Sequence, residues 1–350
     1  LTTRFLLYGA TGYTGKLLAR SARARGLSPV LCGRSVGALR ALASELALEH
    51  RVAALDDARG LDDALKDLPV LLNAAGPFSA TSPPLVDACL RAGAHYLDVS
   101  GEVLAIDGAS RRTDDARRRR IMLMPAIGFD VVASDCLAAH ATRRTRSPRR
   151  LFIGISGLVL LSRGSAMTII QQLTDPVWVR RGGVLTQVGP GSLERVFDYG
   201  DGPRASVAVS WGDVASAYFT TGVPDITVYF EATPAVRTHT SLVRAFGAVT
   251  PLTAWKEWLR LGAQWLPEGP TEQERAANRA VVSVEVEDDR GEVVRSDLRT
   301  PEAYSFTASA AIAILERALA GDLEPGFQTP ARVYGPEFVL SLPGVSRADR

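Results

Sequence analysis

Three glycines spaced three apart, Gly9, Gly12 and Gly15, lie in the stretch GATGYTG at residues 9–15. The apolar run RFLLY (4–8) precedes them and a helix-like stretch follows. Strand, G-x-x-G-x-x-G and helix in that order are what a dinucleotide-binding turn needs. Gly9 would permit the tight turn, Gly12 would let backbone approach a pyrophosphate, and Gly15 would let helix and strand pack closely. The helix start then offers its N–H groups to the anion, with the hydroxyls of Thr11 and Thr14 beside them. Gly9, Ala10, Thr11, Gly12, Tyr13, Thr14 and Gly15 are therefore all expected at the cofactor.

The end of the second strand selects the nucleotide. An NAD site usually carries Asp or Glu there, bonded to the ribose 2′-OH. Here the strand ends Cys32-Gly33-Arg34-Ser35, with no acid. The Arg34 guanidinium can bond a 2′-phosphate and Ser35 can add a donor, so NADP(H) is expected ahead of NAD(H). Gly33 lines the same turn, and Asp56, after the third strand, is a candidate for the adenine amino group.

Further along, NAAGPF closes the fourth strand and HYLDVSGE the fifth. Ligands of such folds sit beyond the carboxyl ends of the strands, so Ala75, Gly76, Pro77 and Phe78 are expected beside the nicotinamide half. Reduction of a substrate also needs a proton. Tyr96, Glu102 and Asp130 are candidate catalytic donors, with solvent as an equal rival. Asp98 is either part of a polar cluster there or a buried acid satisfied by backbone.

These residues need a scaffold. Strand-like runs at 4–8, 28–34, 52–55, near 70–73, 95–101 and 121–126 alternate with helix-like segments at 14–25, 36–46, 61–67 and 83–93. That alternation predicts an α/β fold, a Rossmann-type doubly wound parallel sheet. After about residue 150 strand-like runs dominate: LFIGISG, ASVAVSW, DITVYFEA and VVSVEVED, with one helix-like stretch, SAMTIIQQL. They predict an inserted α+β domain on a mostly antiparallel sheet. AYSFTASAAIAILERALAG (303–321) returns to helix and should pack back on the first domain. Residues 1–127 with 303–350 are thus expected to form the Rossmann domain, and 128–302 the substrate and dimerisation domain. TRRTRSPRR (142–150) reads as a solvated helix end and linker.

Composition narrows the class. The 350 residues are 46% hydrophobic and 22% charged with net charge +2, ordinary for a globular protein and too near neutral to argue for nucleic acid. Cys32, Cys89 and Cys136 are scattered and the four histidines show no metal-ligand spacing, so a reducing, cytoplasmic setting and no metal are expected. No leader is visible before the glycines, and the apolar run at 151–161 is too short to span a bilayer. Residues 242–266 hold three tryptophans in an amphipathic, proline-broken segment, leaving membrane contact, a lid and a homodimer face open, with protein contact favoured.

GATGYTG, CGRS, NAAGPF, HYLDVSGE and PAIGFDVVASD, in that order, resemble the saccharopine dehydrogenase-like family, in the branch that contains trans-acting enoyl reductases. The resemblance covers residues 4 to about 140, with weaker echoes at SRGSAMT (162–168) and PEAYSFTA (301–308). It implies a Rossmann domain, an inserted α+β domain and a nicotinamide cofactor, and leaves the substrate open. The chain departs from the family pattern at Ala133, where relatives usually carry proline, and near Tyr304, where they tend to carry glycine. The expected function is NADP(H)-dependent hydride transfer to a C=C or C=N bond of a small or lipid-like substrate. The rival reading is a non-catalytic NADPH-binding redox sensor or interaction module. A short-chain dehydrogenase is disfavoured, because none of the eight tyrosines has a lysine four residues on.

Overall fold

A computed structural model describes residues 3–172, 175–232, 262, 265 and 267–350. The chain divides into two compact units, Leu1–Val132 with Tyr304–Gly335, and Ala133–Ala303 with Pro336–Arg350.

The first unit is a doubly wound sheet. Its strands are β1 (Arg4–Tyr8), β2 (Ser28–Gly33), β3 (His50–Val52), β4 (Val70–Asn73), β5 (His95–Asp98) and β6 (Met122–Met124), with a short late strand Gly326–Phe327. The order is late strand, β6, β5, β4, β1, β2, β3, and every pairing is parallel. Strands covered on both faces can be apolar throughout, and β4 accordingly reads VLLN with all four residues buried. Its helices are α1 (Tyr13–Ala24), α2 (Val36–Leu46), α3 (Ala58–Leu65), α4 (Phe78–Ala92), α5 (Val103–Ser110), α6 (Thr113–Arg119), the first turn of α7 (Phe129–Arg143), and two later helices, Ala303–Leu319 and Pro330–Tyr334. On α1, Gly15, Leu18, Ala19 and Ala22 form the buried stripe. The strand order reverses between β1 and β4, which places a switch point at their carboxyl ends.

Several elements differ from the sequence reading. The third strand is His50–Val52, not 52–55, because this edge strand extends only as far as it pairs with β2. Helix α4 begins at Phe78 and carries Pro83 and Pro84 inside it, whereas the prolines had suggested a start at 83. The stretch 142–150 holds the expected solvated helix end, but only its middle joins elements. Helix α7 runs through Arg143, and the next strand starts at Pro148. Between them Arg144 donates to Ser296 Oγ at 2.7 Å and pairs with Asp349.

The second unit carries β7 (Pro148–Ser156), α8 (Arg163–Gln172), β8 (Val177–Arg181), β9 (Val184–Val188), β10 (Glu194–Asp198), β11 (Pro203–Val209), α9 (Asp213–Thr221), β12 (Asp225–Glu231), β13 (Arg279–Asp288), β14 (Val293–Pro301) and a last strand Ser346–Asp349. The main path runs β10, β11, β12, β7, β13, β14, last strand. Among the described residues only β12 and β7 pair in parallel; the rest is antiparallel, as expected. The hairpin of β8 and β9 joins β12 through β8. Val282, Val284 and Val286 alternate along β13 and are fully buried. On its other face Glu285 holds Arg195 at 2.6 Å and Arg295 at 2.8 Å.

The last strand pairs with β14, Arg299 opposite Ser346. Residues 336–350 therefore fold with the second sheet, where 303–350 had been expected in the first domain. The first unit also extends to Val132, inside α7, rather than ending at 127. The tryptophan-rich segment 242–266 lies outside the described residues except Gly262 and Trp265. No helix among the described residues is long and apolar enough to cross a membrane.

Candidate active site

The glycine turn leaves β1 at the switch point. Gly9 has φ +78°, and a Cβ there would lie 2.8 Å from the Ala75 backbone and side chain. At Gly15 a Cβ would lie 2.2 Å from the Gly9 carbonyl oxygen and 2.8 Å from Ala10 Cα. Packing alone thus requires glycine at both positions. Gly12 is different. It is exposed, its φ −73° and ψ 166° suit any residue, and a Cβ would meet only the Gly9 oxygen at 3.5 Å. The fold does not need a glycine there; a ligand approaching the backbone would. The turn itself is tied down, with Gly9 and Ala10 N–H donating to the Cys32 carbonyl at 2.9 and 3.3 Å. Gly12 caps α1 without a side-chain acceptor, and the first turn holds no acid. The positive helix end is left to an incoming anion.

Beyond β2, Gly33 is buried, yet a Cβ on it would meet nothing within 4 Å. Arg34 and Ser35 are exposed, and Ser35 caps α2 with no side-chain bond of its own. Asp56 is exposed beyond β3. Tyr8, at the end of β1, donates to the Ala53 carbonyl at 3.2 Å. Burial, mainly, pushes its hydroxyl up to about 12; nearby Cys32 and Asp56 push the same way and Arg34 opposes.

At the end of β4, Asn73 Oδ1 accepts from Ala75 N–H at 2.9 Å and Thr81 Oγ1 donates to the Ala75 carbonyl at 2.6 Å. Asn73 Nδ2 donates to Thr81 Oγ1 at 3.0 Å, closing the brace. The loop Ala75-Gly76-Pro77-Phe78 is thus held from below, with Gly76 and Pro77 exposed. A cis peptide bond joins Gly76 to Pro77.

Two of the three candidate acids have structural work. Tyr96 is fully buried and donates to Asp98 Oδ2 at 2.7 Å, with Ser82 Oγ at 2.9 Å and Asn73 Nδ2 at 3.2 Å. Burial, with the Asp98 carboxylate beside it, drives the phenol well above its ordinary value. Asp98 Oδ1 accepts from Ala126 N–H at 2.7 Å and Ser100 N–H at 2.9 Å. Burial raises the Asp98 carboxyl, and those two backbone bonds oppose the rise. Asp98 is therefore a buried acid satisfied largely by backbone. It ties the ends of β5 and β6 together. Glu102 accepts from Phe78 N–H at 2.7 Å and Ser79 N–H at 2.8 Å, one on each oxygen. It caps α4 from another element, which accounts for the early start of that helix.

Asp130 is the exception. It sits in the first turn of α7, half-buried, with no partner among the described residues. Its Oδ2 lies 2.4 Å from where a Gly101 Cβ would be, so Gly101 makes room for it. Burial alone lifts its carboxyl to about 7. A group poised there can hold or release a proton near neutrality.

The sequence reading missed Thr81, Ser82 and Gly101. Tyr304, noted there only as a departure from the family pattern, meets Tyr13 edge-on at 5.1 Å between centroids. Only DVSGE, with glycine beside polar residues, hinted at Gly101. The site fits a dinucleotide: two glycines are consumed by packing, while Gly12 and Gly33 leave space that the fold does not use.

Residues 5–123 match the family described as saccharopine dehydrogenase NADP binding domain. The match bears out the resemblance and the NADP-type cofactor read from the motifs. Over 168 residues the chain is 32% identical to a trans-acting enoyl reductase of Mycobacterium ulcerans, covering 45% of this chain and 40% of that protein. It is 26% identical over 212 residues to a lipid droplet localized protein of Caenorhabditis elegans, covering 54% and 49%. The chain thus spans half or less of the length of these relatives. The apo saccharopine dehydrogenase (L-Glu forming) of Saccharomyces cerevisiae shares the fold over 99% of both chains, with a TM-score of 0.66 at 11% identity.

Proposed function

We propose that the protein is an NADP(H)-dependent oxidoreductase that reduces a C=C or C=N bond of a small or lipid-like substrate. The observation that carries this reading is the β1/β4 switch point, where α1 begins with no acid and no side-chain cap beside a β2 end that bears Arg34 in place of an acid. When bound, reduced NADP supplies a hydride. Gly12 and the first turn of α1 would hold the pyrophosphate. Arg34 and Ser35 would take the 2′-phosphate, and Asp56 would meet the adenine amino group. The braced loop Ala75–Phe78 would border the nicotinamide half. Asp130 would supply the proton that completes the reduction, and Gly101 keeps the space in which its carboxyl sits. Tyr96 and Glu102 keep the strand ends and α4 in place instead. We assign substrate binding and self-association to the second unit.

Similarity to relatives named enoyl reductases favours C=C over C=N, and the relative named for lipid droplets favours a lipid-like substrate. The test is turnover of NADPH carrying deuterium at the nicotinamide C4, offered with α,β-unsaturated acyl thioesters or with imines. Deuterium should appear on carbon in a reduced thioester. Tight NADPH binding with no label transfer to any acceptor would support the non-catalytic sensor instead.

A further inference from the structure

The helix Ala303–Leu319 has a first turn that touches two parts of the candidate site. Its Tyr304 ring packs edge-on against Tyr13, interplanar angle 89°, and Tyr13 is the first helical residue of the glycine cradle. Three residues on, Thr307 Oγ1 accepts from Phe129 N–H at 3.0 Å. Thr307 also lies 3.1–3.2 Å from where a Gly128 Cβ would be, so Gly128 and Thr307 are fitted to each other. Phe306, between them, meets Phe129 edge-on at 5.6 Å. Gly128 and Phe129 immediately precede Asp130. The far end of the same helix is held separately, by Glu316 with Arg25 at 2.7 and 3.0 Å, just past the end of α1. Tyr13 at the start of α1 and Arg25 just past its end thus match residues 304 and 316, so the two helices run in the same direction with both starts at the cradle.

We infer that the turn Tyr304–Thr307 is a positioning element of the site, in which Tyr304 holds Tyr13 and the cradle while Thr307 holds the turn that carries Asp130. The inference rests on the oxidoreductase reading only for the meaning of the two groups; the contacts themselves can be tested without substrate. One turn would then set both the cofactor seat and the acid, and each residue would fail in its own way.

Dinucleotide affinity is measured by fluorescence titration with NADPH and NADH, on folded protein verified by thermal melting. Tyr304→Ala should weaken both nucleotides by the same factor, about two- to tenfold, since an edge-to-face ring pair is of that strength and the pyrophosphate is common to both. Tyr304→Phe, which keeps the ring pair, should bind more tightly than Tyr304→Ala. Glu316→Gln, at the other end of the helix, should leave affinity unchanged. Thr307→Val should leave affinity within about twofold but shift the Asp130 titration, followed by carbon NMR of labelled aspartate with the signal assigned by Asp130→Asn. Thr307→Ser should restore the wild-type titration. Wild-type affinity in Tyr304→Ala, or equal losses in Tyr304→Ala and Glu316→Gln, would overturn the role of Tyr304. An unchanged Asp130 titration in Thr307→Val would overturn that of Thr307. Failure of the oxidoreductase reading would look different: wild type itself would bind neither nucleotide, or bind without turnover.

Discussion

Gly12 and Gly15 look alike in the sequence and should behave oppositely when changed to alanine. In Gly15→Ala the new methyl would lie 2.2 Å from the Gly9 carbonyl oxygen and 2.8 Å from Ala10 Cα, both backbone. Neither neighbour can rotate away, so α1 must move off β1. Overpacking of this kind costs about 1–3 kcal/mol, a fall in Tm of roughly 2–12 °C for a unit of this size. In Gly12→Ala the nearest atom is 3.5 Å from the new methyl and the backbone angles already suit alanine. The stiffer unfolded chain adds about 0.4–1 kcal/mol of stability. Loss of the better capping residue removes a similar amount, about 0.5–1 kcal/mol. The two nearly cancel, and Tm without ligand should stay within about 2 °C. Affinity for NADPH should nonetheless fall at least about tenfold, because the methyl stands where the pyrophosphate must meet backbone. Melting without nucleotide and fluorescence titration with it separate the two effects. Wild-type affinity in a folded Gly12→Ala protein would refute the cradle, and an unfolded Gly12→Ala protein would refute the packing argument.

Other substitutions test the remaining parts. Arg34→Ala should weaken NADPH about tenfold or more and leave NADH nearly unchanged, because the lost partner meets only the 2′-phosphate; equal losses for both would refute the role of Arg34. For Asp130 the folded-state value, about 7, lies above the ordinary 3.8. The folded state then holds the extra proton between those values, so wild-type stability falls as pH rises from about 4 to about 7. Asp130→Asn should gain on wild type through that window in pH-dependent thermal melts and gain no more above it; a gap independent of pH would place the carboxyl in water. Glu102→Gln leaves a single acceptor for Phe78 and Ser79 N–H and should cost about 1–3 kcal/mol in denaturant unfolding. A neutral result would mean that α4 does not depend on this cap.

Much of the first unit is legible from sequence, for local reasons. RFLLY and VLLN are continuous apolar runs because parallel strands are covered on both faces. The glycines of GATGYTG mark a turn because side chains cannot enter it, and CGRS shows an arginine where an acid would otherwise stand. These features are properties of a few adjacent residues and survive without knowledge of the fold. What each candidate acid does is not legible in that way. Tyr96, Glu102 and Asp130 are equivalent as residue types. Their roles diverge because β6 brings Ala126 N–H to Asp98, α4 brings two open N–H groups to Glu102, and nothing described pairs with Asp130. Likewise the tail 336–350 carries no local sign of its partner, and pairing with β14 assigns the last strand to the second sheet. Turn and strand identity follow from short-range sterics and hydrophobicity. The protonation and partnership of a buried group follow from which distant donors reach it, and tertiary packing alone brings them there.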